Sequence, residues 1–312
     1  MNIIFFGSDD FALVSLERLF RSNNKVLACV TQPDKPKGRG MKLQPSVIKE
    51  FAVRSKIPVL QPDFLRYDDV IEQLKAFQAD LFIVIAYGKI LPPEILLLPN
   101  IFCVNVHGSL LPKYRGAAPI NWAIINGDKK TGVTVMKLNE MMDAGEIISQ
   151  QEIDIAEDDT AISLRMKMAQ IGAELLAETI ATIENKTFKL TKQDFSMVTN
   201  ASKLTKELGI IRWTEKAQTI HDLARGLLPW PGAFTFYKGK RLKVLETRIK
   251  DDKLPSAAMS GCILEIGKNG FVVAASDKPI LVTQVHYEDG KPMNAYSFAQ
   301  GHRLVPGHCF ES

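Results

Sequence analysis

The chain has 312 residues, 46% hydrophobic and 24% charged, the balance of a soluble globular protein long enough for two cores. Its apolar runs, near 81–87 and 95–98, are too short and interrupted to span a bilayer, so no membrane association is expected. The net charge is only +4, yet residues 201–250 carry 11 Lys/Arg against 4 Asp/Glu. Either a polyanionic partner or a solvated basic surface accounts for that excess, and charge alone does not choose between them.

Met1–Gly7 has neither a basic start nor a cleavage site, and Ile3–Phe6 reads as a first core strand. Phe11, Leu16, Leu19 and Phe20 then recur at helical spacing. Between strand and helix, Gly7-Ser8-Asp9-Asp10-Phe11 lacks the second and third glycines of a dinucleotide fingerprint, which argues against NAD or FAD. No P-loop and no G-x-S-x-G elbow occurs either. Val26–Thr31 is a second strand. The loop after it, Gln32–Pro45, contains three prolines that argue against regular structure. It projects Lys35, Lys37, Arg39 and Lys42, a set suited to a phosphate backbone. A long loop directly after a core strand favours that role over a merely solvated surface.

Leu81–Ala86 is almost wholly apolar, as central parallel strands are. Phe102–Val106 reads as a further buried strand, which Gly108 and Pro112 end. It delivers Asn105 and His107 two residues apart, on one face. Ala117–Ile125 is expected to be helical, and Val133–Leu138 and Ile147–Ile155 to be strands. Between the last two, Asp143 lies in the turn Met141–Glu146. Ile162–Ile183 is a long amphipathic helix with Leu164, Met168, Ile171, Leu175, Leu176 and Ile180 on one side. Such alternation implies an α/β fold with a mostly parallel sheet, whose ligands sit at the carboxyl ends of the strands.

Residues 186–212 are polar and poorly periodic and read as a linker. Beyond them, Ala233–Tyr237, Leu242–Thr247, Gly261–Ile266, Phe271–Ala275 and Ile280–Val285 are short strands of a small, OB-like β-barrel. The expected division is a catalytic domain over 1–187, a linker over 188–207 and a barrel over 208–312. Trp230, between Pro229 and Pro231, is expected to pack rather than to stack on a base. His221, His286, His302 and His308 have no metal-ligand spacing. Cys29, Cys103, Cys262 and Cys309 are scattered with no C-x-x-C pair, which argues against a zinc site and a disulfide framework. A reducing cytoplasm is the expected compartment.

Asn105, His107 and Asp143 form the chemical set. An amide can hydrogen-bond a developing oxyanion and an imidazole can move a proton, which are the two needs of acyl transfer. A carboxylate from the neighbouring turn would steady an imidazolium. On spacing alone, two polar residues capping a strand end and an aspartate making a turn are the commoner reading.

The chain resembles the methionyl-tRNA formyltransferase family along nearly its whole length. The residues that carry this are Gln32-Pro33-Asp34 with Gly38-Arg39-Gly40, Ala86-Tyr87-Gly88 with Leu91-Pro92, and Asn105 through Pro112 followed by Tyr114-Arg115-Gly116-Ala117-Ala118-Pro119-Ile120. Asp143-Ala144-Gly145, Ala201–Glu207 and Pro229-Trp230-Pro231-Gly232-Ala233 complete the set. Ser8-Asp9 departs from the Thr-Pro that the family usually has after its first glycine. The resemblance implies a Rossmann-like formyltransferase domain and a C-terminal OB-like domain. It implies 10-formyltetrahydrofolate as formyl donor and the α-amino group of methionine on initiator tRNA as acceptor, with no metal. Asn105, His107 and Asp143 would be catalytic. Ser109, Leu110, Leu111 and Pro112 would line the folate site, and the backbone at Ala86, Tyr87 and Gly88 would read the pterin. Lys35, Lys37, Arg39 and Lys42 would engage the acceptor stem. A monomer is expected. A formyltransferase acting on an amino-sugar nucleotide would share the catalytic set but would not need the basic loop or the basic barrel.

Overall fold

A computed structural model describes residues 1–37 and 42–311. They group into two compact units, one of Met1–Pro119, Thr131–Asp154 and Arg165–Ala201, the other of Ile120–Lys130, Ile155–Leu164 and the chain from Ser202 onward. Through residue 201 the elements are β1 (Asn2–Gly7), α1 (Asp10–Phe20), β2 (Lys25–Val30), β3 (Lys35–Lys37), β4 (Lys42–Gln44), α2 (Val47–Arg54), β5 (Val59–Leu60), α3 (Asp68–Ala76) and β6 (Leu81–Ile85). There follow α4 (Pro93–Leu96), β7 (Phe102–His107), β8 (Arg115–Gly116), α5 (Pro119–Ile125), β9 (Lys130–Lys137), β10 (Ile147–Asp154), α6 (Ala161–Glu184) and β11 (Asn200–Ala201).

Seven strands form one sheet in the order β10-β9-β7-β6-β1-β2-β5. β1 runs parallel to β2 and β6, β2 to β5, and β6 to β7, whereas β7 and β9 are antiparallel. β6 is buried along its whole length, as its unbroken apolar run predicts. The chain winds outward from β1 through β2 to β5, then returns beside β1 at β6 and proceeds to β7. That reversal opens a crevice at the carboxyl ends of β1 and β6, where open α/β sheets bind ligands.

The loops around this crevice are tied together. Ser8 Oγ donates to the Tyr87 carbonyl at 3.3 Å and accepts from Gln32 N at 3.2 Å. Gln32 Nε2 donates to the same Tyr87 carbonyl at 2.7 Å. Asp9 caps α1 by accepting from Ala12 N at 3.2 Å and pairs with Arg165 of α6. Burial raises the Asp9 carboxyl above the usual carboxylate range, with Arg165 opposing. The Ser8-Asp9 departure is thus absorbed by a helix cap and an ion pair.

The loop expected over Gln32–Pro45 is partly regular. β3 and β4 pair antiparallel, with Lys35 opposite Gln44, Pro36 opposite Leu43 and Lys37 opposite Lys42. A two-stranded ribbon has outward edges, so the N–H that Pro36 lacks removes no ladder bond. The base of the ribbon is anchored by Asp34, which accepts from Lys49 Nζ at 2.7 Å and Gln61 Nε2 at 2.8 Å.

The remaining elements are α7 (Ala217–Gly226), β12 (Ala233–Tyr237), β13 (Lys240–Ile249), β14 (Ile263–Gly267), β15 (Gly270–Ala274), β16 (Pro279–Tyr287), β17 (Met293–Asn294) and α8 (Ala295–His302). An antiparallel sheet runs β12-β13-β16-β15-β14, with β17 on β16. Its two edges are joined by the chain's last described residues. Cys309 bridges to Cys262 beside β14, and Glu311 bridges to Phe236 of β12. This closure makes the expected barrel and removes its exposed edges.

Two sequence expectations change in this unit. Cys262 and Cys309 form a disulfide across 47 residues of sequence, a pairing that their scattered spacing conceals. Trp230 is 50% exposed, and the indole at the core is Trp213, packed with Tyr237, Phe271 and Phe298. α7 was hidden by its polar residues. Asp222 and Arg225 are buried as an ion pair, with Arg225 Nε donating to Asp222 Oδ1 at 2.7 Å and Nη1 to the Asp159 carbonyl at 2.8 Å.

His221, also on α7, shares a hydrogen bond with Thr247 Oγ1 at 2.8 Å. Burial holds its pKa below the usual imidazole value; Arg225 pushes the same way, while the Glu157 carbonyl and the Asp222 and Glu157 carboxylates oppose. The unfolded chain takes up this proton near pH 6.5, the folded protein only at lower pH, so stability falls as pH drops through and below about 6.5. His221→Gln should flatten that part of the profile, read from urea unfolding midpoints at about pH 5, 6 and 7. An unchanged slope would assign the acid sensitivity elsewhere.

Candidate active site

β7 ends at the crevice side of the sheet and carries Asn105 and His107. Its register sets Asn105 opposite Val84 of β6 and His107 opposite Thr134 of β9. Asn105 Nδ2 donates to the Val84 carbonyl at 2.7 Å. This fixes the amide's orientation, because a carbonyl can only accept. Asn105 Oδ1 is then buried with no hydrogen-bond partner among the described residues. An orphaned buried acceptor costs about 1–3 kcal/mol, a penalty that a ligand donor would offset.

His107 is 7% exposed. Its Nε2 lies 2.9 Å from the Tyr114 carbonyl, so that nitrogen carries the proton and Nδ1 is the basic one. Nδ1 sits 3.7 Å from Asp143 Oδ2, beyond hydrogen-bond length but well within electrostatic range. Asp143 takes a left-handed backbone conformation, φ 51°, and its Oδ2 accepts from Gly116 N at 2.8 Å. The turn that holds it explains two glycines. A Cβ on Gly145 would lie 1.7 Å from the Lys137 carbonyl oxygen, and one on Gly116, at φ 123°, 2.5 Å from the Ala201 carbonyl oxygen.

Three polar residues that sequence reasoning missed hold this geometry. Thr134 Oγ1 donates to the Ser109 carbonyl at 2.6 Å and accepts from Leu111 N and Gln150 Nε2. Gln150 Nε2 also donates to the Leu111 carbonyl at 2.9 Å. Gln193, only 6% exposed, donates to the Asp143 and Gly145 carbonyls at 2.9 and 2.8 Å. Gln193 lies in the polar stretch read as linker, where a buried amide has no distinguishing signal. Its neighbours also reach the site: Tyr114 N donates to Thr199 Oγ1 at 2.8 Å, and β11 pairs with β8.

The other expected site residues divide by exposure. Ser109 and Leu111 are buried, and Ser109 Oγ donates to the Lys113 carbonyl at 2.6 Å. Leu110 and Pro112 are half-buried. Ala86 and Gly88 are exposed at the end of β6, with φ of 45° and 79°. Between them the Tyr87 ring is buried against Phe6 at 5.6 Å, and burial pushes its phenol up to about 12. The Tyr87 carbonyl already accepts from Ser8 and Gln32, which leaves the backbone of Ala86 and Gly88 as the open part of this segment. Lys35 is exposed and donates to Gln32 Oε1. Lys37 and Lys42 are paired backbone positions of the ribbon, and Arg39 lies outside the described residues. The free thiols, Cys29 and Cys103, are buried and pushed up to about 12, so neither is a nucleophile at neutral pH.

A basic imidazole nitrogen beside a carboxylate, with an oriented amide two residues along the same strand, can accept a proton while a neighbouring oxygen gains charge. That is the equipment of acyl transfer without a covalent intermediate.

Comparison with known proteins agrees. Residues 1–180 match the family model described as formyl transferase, and residues 203–303 the one described as formyl transferase, C-terminal domain. The methionyl-tRNA formyltransferase of Acetivibrio thermocellus is 45% identical, covering 98% of each chain. That of Clostridioides difficile is 42% identical over 98% of this chain and 99% of its own. Among solved structures, a sugar 3N-formyl transferase crystallised with dTDP and 5-N-formyl-THF shares the fold, with a TM-score of 0.68 at 20% identity, covering 93% of this chain and 99% of that one.

Proposed function

The chain belongs to the methionyl-tRNA formyltransferase family, and from that premise we propose how its site works. The protein transfers a formyl group to the α-amino group of methionine carried by initiator tRNA, giving formylmethionyl-tRNA for translation initiation. The formyl group comes from a folate-derived donor, which we take to be 10-formyltetrahydrofolate.

His107 accepts the proton lost by the attacking amine through Nδ1, the nitrogen that its Tyr114 bond leaves basic. Asp143 stabilises the imidazolium so formed from 3.7 Å. His107 then returns the proton to the departing folate nitrogen. Asn105 uses the Nδ2 hydrogen not engaged by Val84 to stabilise the formyl oxygen as it becomes an oxyanion. Its Oδ1 accepts an N–H of the incoming amine and so gains the partner it lacks. That buried, unpartnered oxygen beside a His–Asp pair is the observation that carries this reading. Leu110 and Pro112 line the donor site together with Ser109 and Leu111, whose own polar groups hold the loop's shape. The exposed backbone of Ala86 and Gly88 reads the pterin edge, as strand-end amides and carbonyls can. We infer a functional division of 1–187 for catalysis, 188–207 as linker and 208–312 for tRNA, with the linker residues through Ala201, Gln193 and Thr199 among them, packed into the first compact unit. The enzyme acts in the cytoplasm as a monomer. No helix among the described residues is long and apolar enough to cross a membrane.

The donor is tested by tetrahydrofolate release. One mole should appear per mole of formylmethionyl-tRNA, and transfer without it would reject the donor. Lys35, Lys37, Arg39 and Lys42 engage the acceptor stem. Replacing all four by alanine should raise the KM for tRNA at least about tenfold and flatten its salt dependence by about 3 logarithmic units per decade of salt. Folate binding, measured by fluorescence quenching, should hardly change. Equal loss of both would remove these residues from tRNA recognition.

A further inference from the structure

Arg115 lies between the two residues that hold the His107–Asp143 pair, yet the chemistry above does not use it. Its chain neighbour Tyr114 supplies the carbonyl that fixes His107, and Gly116 supplies the N–H that holds Asp143. The Arg115 side chain is half-buried and held on two sides. Nε and Nη2 both donate to Gln193 Oε1, at 3.0 and 2.7 Å. The guanidinium carbon lies 4.9 Å from the centre of the Phe195 ring, which covers one face.

No carboxylate pairs with Arg115 among the described residues. Asp143 shares Gln193 with it through its backbone carbonyl, but the Asp143 Oδ2 accepts from Gly116 N and faces His107 at 3.7 Å instead. A guanidinium has five N–H groups, and the single Gln193 oxygen takes only two of them. Gln193 itself is immobilised by its bonds to the Asp143 and Gly145 carbonyls. A planar, permanently charged fork is therefore locked in place beside the catalytic pair without a protein anion to neutralise it. Such forks match phosphate or carboxylate oxygens in bidentate geometry, which a lysine cannot reproduce.

We propose that Arg115, pre-oriented by Gln193 and Phe195, binds a phosphodiester of the acceptor's terminal nucleotides and so sets the methionyl amine against His107. This rests on the formyl-transfer reading above and adds a substrate-positioning residue to it. The same fork could be met by the glutamyl carboxylate of the folate donor. The acceptor is favoured because both flanking residues hold the His107–Asp143 pair, where the amine must arrive.

The test compares wild type with Arg115→Met and Arg115→Lys on initiator tRNA whose last phosphodiesters are replaced, one at a time, by neutral methylphosphonates. On unmodified tRNA, Arg115→Met should lower kcat/KM by about 10- to 100-fold, the usual scale of a charge-assisted bidentate contact. Arg115→Lys should recover only part of it. One neutral linkage should slow wild type by a similar factor and leave Arg115→Met unaffected. A variant penalty that is the same at every linkage, or one that disappears only with a donor lacking the glutamyl tail, overturns the proposal. If Arg115→Met does not fold, the same comparison with Arg115→Lys decides. A wild type inactive on unmodified tRNA would instead refute the underlying reading, so the two failures are distinguishable.

Discussion

His107→Ala should lower kcat by about 10³-fold while folate binding and the melting temperature stay close to wild type. The magnitude is that of a positioned general acid–base, which contributes about 10²- to 10⁴-fold. The geometry argues against the lower end of that range. Nε2 is tied to the Tyr114 carbonyl and Nδ1 faces Asp143, so the ring has one tautomer and one orientation. Loss of the ring also removes the proton's route to the leaving nitrogen, which water in a buried site replaces poorly. Asp143→Asn should cost less, because at 3.7 Å it acts through space. Stopped-flow single-turnover transfer with saturating substrates separates the chemical step from binding. A His107→Ala rate within tenfold of wild type would mean that the amine loses its proton to solvent.

Asn105→Ala should lower kcat by about 10²- to 10³-fold, the cost of removing one oxyanion donor. Here a second consequence distinguishes the amide from a simple packing residue. In the absence of ligand, Asn105 Oδ1 is a buried acceptor with no partner among the described residues. Removing it relieves that penalty but leaves the Val84 carbonyl without its donor. Stability should therefore change little while catalysis collapses. Asn105→Asp keeps the shape but replaces the donor with a charge that repels the oxyanion, and it should be as damaging as alanine. A large fall in melting temperature with retained turnover would show that Asn105 serves the strand and not the reaction.

Much of the sheet was legible because its strands are buried on both faces and so read as unbroken apolar runs. Leu81–Ile85 is the plainest case, and the five barrel strands were marked by their turns. α7 was not, since its pattern is crossed by Asp222 and Arg225, whose burial depends on each other and on the Asp159 carbonyl. The hairpin of β3 and β4 was missed because Pro36 was weighed as a breaker, whereas a two-strand ribbon tolerates it. In the candidate site, Asn105 and His107 were singled out by their spacing on one strand face, and Asp143 by its turn and by family resemblance. Gln193, Thr134 and Gln150 were invisible, because a polar side chain declares itself important only when its burial and partners are known. The disulfide belongs to the same class: Cys262 and Cys309 meet only once the barrel closes.

The most direct measurement follows a labelled formyl group from 10-formyltetrahydrofolate to methionyl initiator tRNA, with elongator methionyl-tRNA run alongside. The account predicts rapid labelling of the initiator, slow labelling of the elongator, and loss of the initiator signal in both Asn105→Ala and His107→Ala. A folded, folate-binding protein that labels neither tRNA, yet formylates an amino-sugar nucleotide, would contradict it.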